Sequence, residues 1–246
     1  AAQGAWTAGF QSANPDTTVN YDPSGSGAGV EQFLAGAVNF AGSAAYLDDD
    51  QLASSKKPCN GATALEVPSY ISPIALVFNL EGVDKLQLSP ATAAKIFSGK
   101  ITTWDDAAIK ADNPDAKLPS EKITPVHRSD DSGTTKNFTD YLNKAGGGAW
   151  SADPDTVWPT SAKGGQGFEG TSGVIGALTD TEGAVGYADD SAVKADGSLG
   201  VVSIKVGNAY EAPTAQGALG GQRSIRGRPA SARAVPRRVI PPPGEA

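Results

Sequence analysis

Residues 123–142, ITPVHRSDDSGTTKNFTDYL, predict a strand that turns directly into a helix. The segment ITPVHR is typical of a strand, and the residues after Ser132 are typical of a helix that this serine opens as its N-cap. The polar turn holds the only histidine of the chain, His127, next to Arg128 and close to two aspartates. Strand and helix patterns alternate in this way along the chain, which predicts an α/β fold.

Four other segments carry the alternation. Residues 30–42, VEQFLAGAVNFAG, have apolar side chains at helical spacing after a run of small residues, and residues 70–80, YISPIALVFNL, predict a buried strand or a crossover between lobes. Ser89 followed by Pro90 predicts a helix start, and residues 171–189 predict a helix, a turn and a strand. The apolar face predicted for the helix in residues 30–42 consists of Val30, Phe33, Leu34 and Ala37.

The charge changes sign near residue 219. The last 28 residues hold six of the 20 basic residues and one of the 27 acidic ones, which leaves 14 basic and 26 acidic residues in the body. An acidic body argues against nucleic-acid binding, because phosphates need a basic face. The terminal residues 219–246, rich in Arg, Pro and Gly, predict a disordered basic tail.

The beginning of the sequence indicates export. The chain contains no methionine and starts with neither a basic nor an apolar signal region, so we expect cleavage to have produced its N-terminus. No segment approaches the roughly 20 apolar residues of a membrane-spanning helix. Cys59 is the only cysteine, so it is either a small buried side chain or half of a pair whose partner lies elsewhere.

Catalytic and metal-binding patterns are weak. A Ser-His-Asp triad would need His127, which lies five residues from Ser132 across a strand-to-helix turn, and the G-x-S-x-G pattern is absent around that serine. Residues 165–170, GQGFEG, match a dinucleotide pattern but are predicted as a loop because no strand precedes them. Residues 47–51, LDDDQ, suit a helix start better than a cation site. We therefore expect no enzyme, no cofactor and no metal site.

Anion capture fits the turn better. Arg128 at the end of a strand and residues 132–134 at the start of a helix supply hydrogen-bond donors and the positive end of a helix dipole. Asp130 can hold the guanidinium, and Ser26 opens a second helix after the small-residue run 23–29. An ordinary capped helix with a surface arginine remains the alternative.

These motifs together resemble the phosphate-binding proteins of bacterial phosphate ABC transporters, most closely the actinobacterial members. The resemblance covers residues 1–217 and rests on GSGAGVEQFLAGAVNFAGS, IFSGKITTWDD, HRSDDSGTTKNFTDYL and GAVGYAD. It implies a type II periplasmic-binding-protein fold with two α/β lobes joined by crossover strands. It also implies an extracellular or cell-surface protein that binds inorganic phosphate and delivers it to a membrane permease. The phosphate ligands that it implies are Ser26, Arg128, Ser132, Gly133 and Thr134, with Asp130 supporting the arginine.

The chain departs from this family at several points. Family members place an aspartate after Gly-Ser to accept the hydrogen of bound phosphate, whereas here Ala44 follows that pair. They also begin with a segment that donates to phosphate and continue with residues that complete the first lobe, and we expect this chain to lack both. Because each hydrogen bond to a charged group is worth about 1.5–3 kcal/mol, these losses predict weakened binding.

The resemblance also predicts the division of the chain. We expect residues 1–70 to form part of the first lobe, residues 71–205 to form the second lobe, and residues 206–218 to return toward the first lobe, before the tail 219–246. An incomplete first lobe would expose apolar surface, which gives an alternative function: a protein-interaction module or enzyme inhibitor derived from a phosphate-binding protein.

Overall fold

The computed structural model describes residues 2–214 of the chain. In this part the helices are α1 (Ala2–Ala13), α2 (Ser26–Ala35), α3 (Asp49–Ser54), α4 (Pro90–Phe97), α5 (Ala107–Asp112), α6 (Gly133–Ala145), α7 (Gly170–Asp180) and α8 (Asp190–Asp196). The strands are β1 (Ile74–Phe78), β2 (Leu86–Leu88), β3 (Thr124–Arg128), β4 (Gln166–Phe168), β5 (Ala184–Asp189), β6 (Gly200–Val206) and β7 (Ala209–Glu211). From β3 to β6 strands and helices alternate, which confirms the predicted α/β pattern.

One mixed sheet contains all the described strands. Its order is β2-β6-β1-β5-β3-β4, and β7 pairs with β6. Strand β3 runs parallel to both β4 and β5, whereas β1 runs antiparallel to β5 and β6. Because β3, β4 and β5 are parallel and each is followed by a helix, α6, α7 and α8 begin at the same edge of the sheet. Ligands of α/β proteins bind outside such carboxyl edges.

Two apolar layers cover the sheet. Alternate residues of β1 point to opposite faces, as strand geometry requires. Leu76 and Phe78 belong to the larger cluster, which is formed with α4 and α6, while Ala75 and Val77 belong to a smaller cluster with α7 and α8. Full burial of a side chain such as Phe78 contributes about 1.5–3 kcal/mol to the stability of the fold. The two apolar layers therefore hold the sheet, and with it the carboxyl ends of its strands, in a fixed position.

The predicted helix starts are confirmed. Ser89 accepts a hydrogen bond from the Thr92 amide at 3.3 Å and Pro90 occupies the first helical position of α4. The aspartates of residues 47–51 open α3, where Asp48 and Gln51 form a reciprocal capping box. Their negative charge therefore serves a helix start, as the sequence predicts.

The predicted apolar face of the second helix extends too far. Helix α2 ends at Ala35 because Gly36 adopts a left-handed conformation with φ of 77° and donates its amide to the carbonyl groups at the end of the helix. Ala37 therefore lies outside the helix, and of the predicted face only Val30 is buried. Apolar residues keep helical spacing beyond Gly36, although the helical backbone ends at this glycine, so the spacing alone predicts too long a helix.

The prediction of a loop at residues 165–170 is wrong. The central part of this segment forms β4, which pairs in parallel with β3 from Val126 to Arg128. The strand is three residues long, too short to show alternating polarity. Glycine at position 167 lets β4 pack closely against His127, because a Cβ on Gly167 would lie 3.1 Å from His127 Cε1.

Residues 2–73 contribute three helices and no strand to the described structure. Several large apolar side chains of this segment are largely exposed, including Phe40, Tyr46 and Leu65. Cys59 is half-buried and has a free thiol among the described residues. The predicted division at residues 70, 205 and 218 stays a prediction, and the tail 219–246 lies outside the described residues.

Within residues 2–214 no helix combines the length and the apolar character needed to cross a bilayer.

Candidate anion-binding site

A largely buried ion pair lies where β3 ends. Arg128 is 7% exposed; its Nε donates to Asp130 Oδ1 at 2.6 Å and its Nη2 donates to Asp130 Oδ2. The amide of Gly170, the first residue of α7, donates to the same carboxylate at 3.0 Å. Because a guanidinium has five N–H groups and this pair uses two, three remain for a ligand in a fixed orientation.

The pKa of Asp130 lies below its ordinary value. Burial alone would raise this pKa, but the hydrogen bonds from Arg128 and from the Gly170 amide, together with the arginine charge, outweigh burial. The carboxylate is therefore ionised at neutral pH and cancels the charge of Arg128. An anion at this place must be bound by directed N–H and O–H donors rather than by excess positive charge.

Asp130→Asn is expected to lower stability at neutral pH and to lower it less in acid. A carboxylate with a depressed folded pKa stabilises the fold above its unfolded pKa of about 3.9, and this stabilisation is lost as the pH falls through the folded pKa. We expect a loss of about 1–3 kcal/mol in the free energy of unfolding at pH 7. Urea denaturation of both proteins between pH 7 and pH 3 should show the difference shrinking below about pH 5.

A surface variant serves as the control for this titration. Asp140 forms an exposed pair with Lys144 on α6. Such pairs contribute about 0.3–0.5 kcal/mol, so Asp140→Asn should have little effect at any pH. A loss for Asp130→Asn that stays constant from pH 7 to pH 3 would contradict the role assigned to the ionised carboxylate.

The N-terminal end of helix α6, called its mouth below, lies just beyond this ion pair. Ser132 is buried and its Oγ accepts from the Thr135 amide at 3.3 Å, while its own amide donates to Thr156 O at 3.0 Å. Helix geometry leaves the amides of Gly133 and Thr134 without an intrahelical acceptor. These amides and the positive end of the dipole suit an oxyanion.

The mouth of helix α2 meets that of α6. The Gly27 amide donates to Asp131 O at 3.2 Å, and a Cβ built on Gly27 would lie 2.2 Å from Asp131 Cβ. A Cβ on Gly25 would lie 3.7 Å from Arg128 Nη2. The glycines therefore allow α2 to begin directly beside the guanidinium. The structure thus brings together Ser26, Arg128, Asp130, Ser132, Gly133 and Thr134, which the sequence places more than 100 residues apart at the extremes.

Ala44 lies at the same junction. Its amide donates to Ser26 Oγ at 3.1 Å, and its carbonyl accepts from Asn137 Nδ2 at 2.7 Å. A Cβ on Gly133 would lie 2.9 Å from Ala44 Cβ. The side chain at position 44 therefore contacts the first residue of α6, where a longer acidic side chain would reach the ligand donors.

A small polar cavity of about 80 Å³ opens beside Ser26. Its lining includes Lys136, one turn into α6, and the acidic side chains of Glu31 and Asp131. The two acidic side chains outnumber the single lysine here, so an anion must be recognised by hydrogen bonds rather than by net positive charge.

The sequence did not single out three residues that shape the site. Gly25, with φ of 95°, lets α2 start against the ion pair; Gly170 supports Asp130; and the Tyr187 hydroxyl accepts from the Arg128 amide at 3.3 Å. The run of small residues before α2 was a usable signal for Gly25. Gly170 and Tyr187 come from other strands and helices, so no local pattern identifies them.

His127 has a structural environment. Its ring stacks on Trp158 with centroids 4.6 Å apart, and its Nδ1 is 2.9 Å from the Arg128 carbonyl oxygen. Burial lowers the pKa of His127, which the contact with the carbonyl oxygen only partly opposes. Ser132 Oγ is engaged by the Thr135 amide instead of by a base. No group of three or more potential metal ligands of the His, Cys, Asp and Glu types occurs among residues 2–214.

Comparison with known proteins identifies the family. A family model described as a PBP superfamily domain matches residues 1–225. The chain belongs to the PBP superfamily. This membership confirms the predicted fold class and the family resemblance on which it rests.

Relatives within the PBP superfamily carry a consistent description. Phosphate-binding protein PstS 3 of Mycobacterium tuberculosis is 40% identical over 186 residues, which cover 76% of this chain and 50% of the relative. Phosphate-binding protein PstS of Xylella fastidiosa is 36% identical and is covered to 49%. The chain thus spans about half the length of these relatives.

Solved structures agree on the PBP fold. A high-affinity periplasmic phosphate-binding protein, PfluDING, bound with phosphate, has a TM-score of 0.65 and 27% identity, with 81% of this chain and 59% of that chain covered. A Clostridium perfringens protein solved with bound phosphate has a TM-score of 0.68 at 20% identity, covering 89% of this chain and 75% of that chain. The second comparison supports the fold alone.

Proposed function

We propose that this chain binds inorganic phosphate at the junction of Arg128 with the mouths of α2 and α6. The observation that carries the proposal is the contact between the two helix mouths beside a guanidinium that Asp130 already orients. The names of the relatives support phosphate as the anion. The relatives do not favour the alternative of an interaction module or inhibitor.

Each donor has a defined part in this site. The free N–H groups of Arg128 and the amides of Gly133 and Thr134 supply parallel donors, and the hydroxyls of Ser26, Ser132 and Thr134 can rotate toward the remaining oxygens. A tetrahedral anion offers acceptors in all directions, so it can satisfy both helix mouths at once. Because the ion pair is neutral, binding depends on donor geometry, as for anions at helix starts.

In this proposal phosphate is bound and released without a covalent step. The relatives' names describe binding proteins, which agrees with a role without catalysis. We propose that the whole protein acts outside the cytoplasm and delivers phosphate to the membrane permease of an ABC transporter.

Phosphate titration by calorimetry, with sulfate as the competitor, tests this function. We expect one phosphate per chain with a dissociation constant weaker than about 1 µM, corresponding to less than about 8 kcal/mol. Nanomolar phosphate binding would contradict the weakened site. A complete absence of heat and of competition at millimolar phosphate would contradict the function itself.

Ala44→Asp is expected to raise selectivity for phosphate over sulfate. Phosphate carries a hydrogen at neutral pH that a carboxylate can accept, whereas fully ionised sulfate would meet only repulsion. The side chain at position 44 lies against Gly133, so an aspartate there can reach the ligand. One added charge-assisted bond of about 1.5–3 kcal/mol predicts a tenfold or greater gain in the ratio of the two dissociation constants.

Ala44→Asn is the matched control for this substitution. An asparagine has nearly the same size, but its amide can donate to sulfate as well as accept from phosphate. We expect the gain in selectivity for aspartate only. Equal selectivity of the two variants would show that position 44 does not face the anion's hydrogen.

A further inference from the structure

We propose that Tyr187 is a positioning residue that holds Arg128 and the first turn of α6 in one geometry for anion binding. The inference rests on the proposed function, because the groups that Tyr187 connects are those assigned to the anion. The hydrogen bonds of Tyr187 go to the backbone amide of Arg128 and to the side chain of Thr135.

The hydroxyl of Tyr187 connects two separate elements. It accepts from the Arg128 amide at 3.3 Å and lies 2.7 Å from Thr135 Oγ1. The Thr135 amide in turn donates to Ser132 Oγ at 3.3 Å. Hydrogen bonds made by two different groups of Thr135, its hydroxyl and its amide, therefore link the end of β3, through a residue of β5, to the cap of α6.

The ring of Tyr187 fixes this hydroxyl in space. The side chain is 1% exposed, and its ring stacks on Phe138 of α6 with centroids 4.3 Å apart. Phe97 of α4 and Trp158 lie within 6.3 Å and 5.9 Å, centroid to centroid. A ring packed on several sides leaves its hydroxyl little freedom, so the hydroxyl can set the distance between strand and helix.

Removal of this one oxygen has a defined consequence. Tyr187→Phe keeps the packed ring but leaves the buried Arg128 amide without the acceptor described here. Thr135 loses the same partner. We expect the end of β3 and the start of α6 to be held less firmly relative to each other. Phosphate should then bind about 5- to 50-fold more weakly.

Tyr141→Phe is the matched control. Tyr141 lies in α6 and, like Tyr187, stacks on Phe138, with centroids 6.5 Å apart, but its buried hydroxyl has no hydrogen-bond partner among the described residues. Burial raises the pKa of Tyr141 to about 12, so its hydroxyl is neutral at working pH. The control removes the same atom from the same aromatic cluster and should leave phosphate affinity unchanged.

The test combines phosphate calorimetry with hydrogen exchange at the Arg128 amide in the absence of phosphate, on the full chain and both tyrosine variants. We expect weaker binding and faster exchange of this amide in Tyr187→Phe only. Equal affinities of the two variants, or unchanged exchange at Arg128, would overturn the positioning role. If the unmodified chain binds no phosphate, the proposed function fails and the ligand-related role of Tyr187 fails with it. The exchange rates then still decide whether its hydroxyl holds Arg128.

Discussion

Arg128→Ala is expected to abolish phosphate binding. The substitution removes the three guanidinium N–H groups that Asp130 does not use, and it leaves the carboxylate of Asp130 without its cationic partner. At neutral pH that carboxylate stays close to the place of the anion and repels it. Loss of two or more charge-assisted bonds of about 1.5–3 kcal/mol each predicts a dissociation constant at least 100-fold higher.

Calorimetry on Arg128→Ala and on Lys110→Ala separates the site from the net charge. Lys110 forms an exposed ion pair with Asp105, so its removal changes the chain's charge by the same amount without changing the site. We expect normal phosphate binding by Lys110→Ala. Thermal unfolding of each variant shows whether the fold is kept. An unchanged dissociation constant for a folded Arg128→Ala protein would remove Arg128 from the anion site.

Gly133→Ala is expected to separate the two helix mouths. A Cβ at this position would lie 2.6 Å from Ser26 Oγ, 2.9 Å from Ala44 Cβ and 3.1 Å from Ala44 C. The serine hydroxyl can rotate away, but the Cβ and the backbone carbon of Ala44 must also shift, and the Ala44 amide is hydrogen-bonded to Ser26. Overpacking of this kind costs about 1–3 kcal/mol, and we expect phosphate affinity to fall at least tenfold with it.

Gly176→Ala is the control for this steric argument. Gly176 is an exposed residue inside α7, and a Cβ there would have no heavy atom within 4 Å. Alanine favours a helix over glycine by up to about 1 kcal/mol, so this variant should be slightly stabilised and bind phosphate normally. If Gly133→Ala binds as well as Gly176→Ala, the two mouths do not need to meet.

Much of the fold followed from local patterns. The strand before Arg128, the helix after Ser132 and the start at Ser89 each depend on a cap or a strand pattern confined to a few residues. The end of α2 and the existence of β4 did not follow. Gly36 ends a helix through its backbone conformation, and β4 exists because its backbone pairs with β3, so side-chain periodicity shows neither.

The candidate site likewise has a part that local sequence patterns predict and a part that they do not. The segment from Arg128 to Thr134 could be predicted because strand, turn and helix start are contiguous in sequence. The position of Ser26 at a helix start followed from the small-residue run before it, and its role as a ligand followed from the family resemblance. Its approach to Arg128 depends on glycines at 25 and 27 that fit against residues 130–131. Tyr187 could not be predicted as a partner of Arg128, because its contact arises from the pairing of β3 with β5.

Amide chemical shifts during a phosphate titration, measured by NMR on the isotope-labelled chain, test the two-mouth site most directly. We expect the amides of Ser26, Gly133 and Thr134 to shift together and to saturate with a single dissociation constant, while the amides of the exposed Gly176 region stay unchanged. Saturation at α6 without any response at Ser26, or a response confined to another part of the molecule, would contradict the account.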